Sequence, residues 1–416
     1  MFRPALIQAV LAWLVLASAG SVWAAQLKQI DAPIGTNSLA PRWTPIDGER
    51  AVLSWLEEVE AGHRFMAAEF DGRAFGPARS ISAGDRFFAN WADTPGVRVG
   101  ADGTWLAHWL LRSGLGTYAY DVMMALSPDG GITWSEPFLP HDDGTLTEHG
   151  FVSTFLDPHN QSGIGAVWLD GRETEPAAED RDHDHGDHHH HGSGSMTLRS
   201  ATIQADGRID GATLLDDRVC DCCPTDAAAT DDGAIVVYRD RSDDEIRDIS
   251  LIRLEGSGWS EPITVHPDGW RTSACPVNGP ALLVRDEIVI VAWFTMADDH
   301  PRVHLARSDD GGRSFEAPVV LDSGTALGRV DLAWSGNQAV LSWLDERESR
   351  AMLRVARFDL AGRLLEQHDL MPLDEGRISG VPRILGLDDA RVLVTWTESS
   401  AESGAPRVRT GFLVPP

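Results

Sequence analysis

The chain has 416 residues, 43% of them hydrophobic and 24% charged, which supplies a packed core and excludes wholesale disorder. Its 63 acidic residues against 35 basic ones give a formal net charge of −28. That balance excludes nucleic acid and anionic lipid as general partners, because both need a basic footprint.

The N-terminus reads as a secretory leader over residues 1–24. Arg3 supplies the positive end, Ala5 to Leu16 form an apolar run, and Ser18 to Ala24 end in small residues, so cleavage is expected after Ala24 or Ala25. The run is too short to span a bilayer comfortably, and no later run approaches that length, so no membrane span is expected. The expected location is the periplasm or the medium, an oxidising compartment.

From residue 26 to 416 one pattern repeats. Short strand-like runs end alike at Leu53-Ser54-Trp55-Leu56, Ala107-His108-Trp109-Leu110, Ala166-Val167-Trp168-Leu169, Val291-Ala292-Trp293-Phe294, Leu341-Ser342-Trp343-Leu344 and Val394-Thr395-Trp396-Thr397, with Tyr238 in the Trp place of a seventh. The intervals are 54, 59, 70, 55, 50 and 53 residues. A period near 50 with several strands per unit predicts an all-β fold, a single β-propeller of four-stranded blades. Seven Trp/Tyr strands predict seven blades, with six as the alternative. The last unit has one strand after Trp396, so the segment from Gln26 to Asp31 is expected to supply its fourth and close the ring. The 70-residue interval holds an insertion, 173–195, that reads as a flexible His/Asp-rich loop.

Two turns share the pattern S-x-D-x-G-x-[ST]-[WF], at Ser127 to Trp134 and Ser308 to Phe315. The Asp can accept backbone N–H groups inside the turn and Gly allows positive φ. These turns resemble those of the BNR/Asp-box, sialidase-like propeller superfamily, whose members usually have six blades. The resemblance implies a propeller, and as one reading a sialidase-like glycoside hydrolase or a carbohydrate-binding propeller. Sialidases combine an arginine cluster for the substrate carboxylate with a Tyr nucleophile late in the chain. Arg42 and Arg383, at entrances to innermost strands, are the carboxylate-binding candidates. No tyrosine follows Tyr238, so no catalytic residue is assigned and the chain is not expected to be an efficient sialidase.

Loops entering the innermost strand and loops after the Trp strand share one face of a propeller, and the unusual residues gather there. Cys220, Cys222 and Cys223 precede one innermost strand and Cys275 the next, with Cys223-Pro224 and Cys275-Pro276 read as equivalent; His149 takes the matching entrance one unit earlier. The insertion carries His183, His185, His188, His189, His190 and His191. Thiolates and imidazoles are transition-metal ligands. These residues predict a metal site, with copper favoured over zinc or nickel and no nucleotide cofactor. Four cysteines in an oxidising compartment also suit two disulfides, one of them joining the two entrances. Both readings stand at this level. A glycan or a periplasmic protein partner completes the alternatives.

Overall fold

The computed structural model describes residues 27–160, 163–175, 194–256, 258–321, 324–374, 376–400 and 403–413. They form seven antiparallel sheets arranged as the blades of one propeller. Blade 7 takes Arg383–Gly386, Val392–Ser399 and Pro406–Leu413 from the C-terminal end and Leu27–Gln29 from the other. Leu27 pairs with Leu413 and Gln29 with Gly411, so the ring is closed by the N-terminal strand.

Period-2 alternation does not describe the second strand of each blade, because that strand is buried on both faces between neighbouring blades. Gly163–Asp170 is buried at every position, and such strands read as continuous apolar runs. Trp55, Trp109, Trp168, Trp293, Trp343 and Trp396 are each at most 1% exposed. Several of their indole N–H groups donate to a carboxylate two residues on: Trp55 to Glu57 (2.8 Å), Trp168 to Asp170 (2.9 Å) and Trp396 to Glu398 (3.4 Å). Tyr238 sits in the same layer, fully buried, with its hydroxyl donating to Asp216 (2.6 Å).

The two repeated turns fold as expected. Asp129 accepts the N–H groups of Ile132 and Thr133, and Asp310 those of Arg313 and Ser314, at 2.8–3.1 Å. Gly130, Gly131, Gly311 and Gly312 all lie at φ between 70° and 79°. Blade 2 departs from four full strands. Its sheet has three, and the fourth is reduced to a bridge between Met124 and Phe138. Pro137 and Pro140 flank that bridge, and proline cannot donate to a ladder.

Strand register aligns one channel-facing position in every blade, opposite the residue before each Trp or Tyr: Arg42, Gly96, Ser153, Asp226, Ala281, Asp331 and Arg383. The ring is latched here by side chains. Asp226 accepts the N–H of Leu282 (2.9 Å) and Asp331 that of Ile384 (2.7 Å), each in the next blade. Gly96 makes room, since a Cβ there would meet His108 at 2.7 Å and Arg42 at 3.0 Å.

Candidate functional site

The connection from blade 2 to blade 3 contains Pro140-His141-Asp142-Asp143. Asp143 turns it back on itself by accepting the N–H of Thr145 (3.0 Å) and that residue's hydroxyl, a local side-chain turn that frees the backbone from sheet pairing. His141 and Asp143 are thereby tucked beside His149, which opens blade 3 (His149–Leu156) in register with Asp170 at the end of the neighbouring Trp strand. Asp121 arrives from the strand Tyr120–Ser127.

The two imidazoles stack, centroids 3.9 Å apart and planes 7° apart. One carboxylate oxygen, Asp143 Oδ2, lies 3.1 Å from His141 Nδ1 and 3.2 Å from His149 Nε2. His149 Nδ1 faces Asp121 Oδ1 at 3.4 Å, and Asp170 Oδ1 is 3.6 Å from Nε2. His149 is wholly buried; neither of its ring nitrogens, nor His141 Nε2, makes an aligned hydrogen bond. Ligand atoms of Asp121, His141 and His149 lie within 4.8 Å of one another, as do those of Asp143, His149 and Asp170.

Burial opposes charge on His149, but the Asp121 and Asp143 carboxylates, with Asp170 behind them, outweigh it and raise its pKa to about 9. His141 is pushed down by burial and then by its charged neighbour. Burial would raise Asp143, yet His149 and Thr145 hold it well below the usual carboxylate range. Arg172 bonds Asp170 at 2.7 and 2.8 Å and approaches Asp143 at 3.2 Å. Asp143 and Asp170 are therefore partly neutralised by a guanidinium, whereas Asp121, partly exposed, has no arginine against it among the described contacts. Next to this cluster Tyr120 donates to Glu148. Burial first, with Asp93 and Asp221 adding to it, raises the Glu148 carboxyl to about 8.

Cys220 is bonded to Cys223 and Cys222 to Cys275. A disulfide sulfur is not a thiolate ligand, so in this oxidised state the cysteines and His149 do not form one ligand set. The second bridge joins the entrances of blades 4 and 5. The equivalence of Cys223-Pro224 and Cys275-Pro276 is corrected by register: Asp226 matches Ala281, so Cys223 matches Asn278 and Cys275 matches Cys220. The shared Cys-Pro pair misplaced the alignment by three residues. His183, His185, His188, His189, His190 and His191 lie outside the described residues, as does the leader.

Arg42 and Arg383 both line a channel cavity of about 210 Å³ together with Arg98, Asp93, Asp226 and Asp331. Burial, then the Arg383 charge, lowers Arg42 to about 10; burial raises Asp331 to about 6 against Arg383 and the Ile384 N–H. Three carboxylates face three guanidiniums there, and burial raises one of them, Asp93, to about 7. On the loop face Trp91 of blade 2 reaches over to blade 6, its ring 4.4 Å from the Arg329 guanidinium. It roofs the channel.

Sequence reading found His149, Arg42 and Arg383 but missed Asp121, His141 and Asp143. The signal was there in the His-Asp-Asp run of a long connection outside the repeat, where no structural periodicity accounts for it.

No protein-family model and no curated protein matches the chain. Solved structures do. A protein of unknown function from Dyadobacter fermentans is 14% identical, covering 93% of this chain and 97% of that one with a TM-score of 0.52. The polysaccharide lyase Uly1 is 10% identical over 92% and 90%, with a TM-score of 0.54. A Hadza microbial sialidase, Hz136, is 13% identical over 86% and 73%, at 0.49. At these identities the likeness is one of fold.

Proposed function

We propose that this is an exported propeller that binds one divalent transition-metal ion through His141, His149 and Asp121. The observation that carries the reading is the shared carboxylate. Asp143 Oδ2 lies within 3.2 Å of one nitrogen of each stacked imidazole, His141 Nε2 makes no hydrogen bond, and His149 Nδ1 faces Asp121, so a bound metal would displace the proton that His149 holds at neutral pH. A carboxylate that orients ligating histidines from behind is the usual support of a metal site. Metal bonds of about 2.0–2.2 Å set neighbouring ligand atoms about 3.3 Å apart, and His149 Nδ1 and Asp121 Oδ1 are 3.4 Å apart. Two imidazoles and a carboxylate suit copper(II) first and zinc or nickel after it. The His/Asp-rich insertion begins just after Arg172 in sequence and would collect ions near the site.

Chelator competition tests this. The purified mature protein is expected to hold about one copper(II) or zinc per chain, and His141→Ala or Asp121→Asn to lose it while remaining folded. Retention of the metal in both variants would refute the assignment.

The second reading is an acidic glycan in the channel, supported by the pairing of Arg42 and Arg383 there and by a fold shared with Uly1. Against it stand the Trp91 roof and a cavity below the about 300–1,000 Å³ usual for small-molecule sites. A glycan array with Arg42→Ala as control decides it.

A further inference from the structure

We propose that the cysteine quartet is a reduction-gated site for a soft metal ion, copper(I) above all, that opens only when its two disulfides are reduced. This site is separate from the His141–His149 cluster and does not rest on it.

Three sulfurs carry the inference. The Sγ atoms of Cys220, Cys222 and Cys223 lie within 4.8 Å of one another although they belong to two different bridges. Bonds of about 2.3 Å to thiolate would spread three sulfurs around one ion to about 4 Å apart, so small side-chain rotations suffice once the bridges are broken. The backbone that carries them is held by bonds that reduction leaves untouched. The Val219 N–H donates to the Met196 carbonyl (2.9 Å) and the Cys220 N–H to that of Arg239 (3.0 Å). Between the cysteines, Asp221 is gripped by Arg241 at 3.1 Å and Arg247 at 3.5 Å. Thiolates favour soft ions such as copper(I).

Access follows one order. Cys275 is exposed and Cys222 half-buried, whereas Cys220 and Cys223 are each 1% exposed. A thiolate of an external dithiol attacks Cys275 Sγ and expels Cys222 as a thiolate; the dithiol's second thiol then closes on the mixed disulfide, releasing Cys275 and leaving the dithiol oxidised. The Cys222 thiolate, within reach of the buried pair, attacks Cys223 Sγ and expels Cys220. The new Cys222–Cys223 bond includes the half-buried sulfur, and a second dithiol opens it the same way. Two dithiols are oxidised to disulfides, four protein thiols appear, and metal binding displaces protons from three of them.

The test reads thiols and copper(I) on the same full-length mature protein. Without reductant it should show no alkylatable thiol and should yield copper(I) to bathocuproine disulfonate. Titrated with dithiothreitol, it should show two thiols and then four. Reduced by a phosphine and desalted anaerobically, it should hold about one copper(I) per chain against the chelator. Cys275→Ser should keep that copper(I), since three sulfurs remain, and Cys222→Ser should lose it at least tenfold. His141→Ala should leave it unchanged, which separates this result from the fate of the divalent site. Copper(I) surrendered by the four-thiol protein, full retention in Cys222→Ser, or unfolding of the blades on reduction by circular dichroism would each overturn the proposal.

Discussion

His141 and His149 lie face to face, 3.9 Å between centroids, although seven residues of chain separate them and only one of them begins a strand. An unpaired buried polar atom costs about 1–3 kcal/mol, and His141 Nε2 and both ring nitrogens of His149 make no aligned hydrogen bond. Asp143 Oδ2 pairs with His141 Nδ1 at 3.1 Å and lies 3.2 Å from His149 Nε2. The other two nitrogens are what a cation would use.

The role of Asp143 is therefore orientation, and its removal should be felt through the rings. Asp143→Asn should weaken divalent-metal binding by about 10–100-fold, the usual effect of losing such a carboxylate, without abolishing it. Isothermal titration of the variant checks this; unchanged affinity would show that the rings orient themselves.

The turns at Asp129 and Asp310 predict an acid limb of stability. Burial would slightly raise Asp310, but bonds from Ser308, Ser314 and Arg313 pull it down to about 2; Asp129 is held at about 2 by Thr133 first. Each carboxylate is thus more acidic folded than unfolded. Its contribution is complete above the unfolded value near 4 and is lost as pH falls through that value toward 2. Arg313 donates to the Asp310 backbone carbonyl and faces Glu255 and Glu287. Urea unfolding from pH 6 to pH 2.5 should show a shallower decline in Asp310→Asn than in the wild type.

Ring closure rests on few bonds. Beyond the three-residue pairing of Leu27–Gln29, the Ile30 N–H donates to the Thr410 carbonyl (3.0 Å), and the Thr410 hydroxyl donates to the Ile30 carbonyl (2.7 Å). Deleting residues 27–31 should bare the edge of Pro406–Leu413, an exposed strand that invites pairing between chains. Size-exclusion chromatography should then show oligomers, and limited proteolysis should cut first within blade 7. A monomer as resistant as the wild type would show that closure does not depend on this strand.

What was legible in the sequence was whatever the fold repeats. The Trp positions marked six of the seven second strands because each must fill the same space between blades, and the Asp turns were readable because their hydrogen bonding is local. Tyr238 was legible for the same reason. Arg383 does open its strand, whereas Arg42, expected at an entrance, lies within Ser38–Pro45; the carboxylates beside them come from other blades and have no sequence proximity to them. His141 and Asp143 were missed because they sit outside the repeat, and Asp121, on the strand Tyr120–Ser127, because it meets them only when two blades pack. The cysteine alignment failed where a local likeness, Cys-Pro, competed with a register set by distant strand pairing.

In the proposed site, His141 and His149 rather than the histidine-rich insertion hold the metal. Electron paramagnetic resonance of stoichiometric copper(II) bound to protein lacking residues 182–191 tests it most directly. The expected result is one copper(II) per chain with hyperfine coupling to two imidazole nitrogens, lost in His141→Ala of the same deletion. A deletion protein that binds no copper(II), or one whose spectrum is unchanged by His141→Ala, would contradict it.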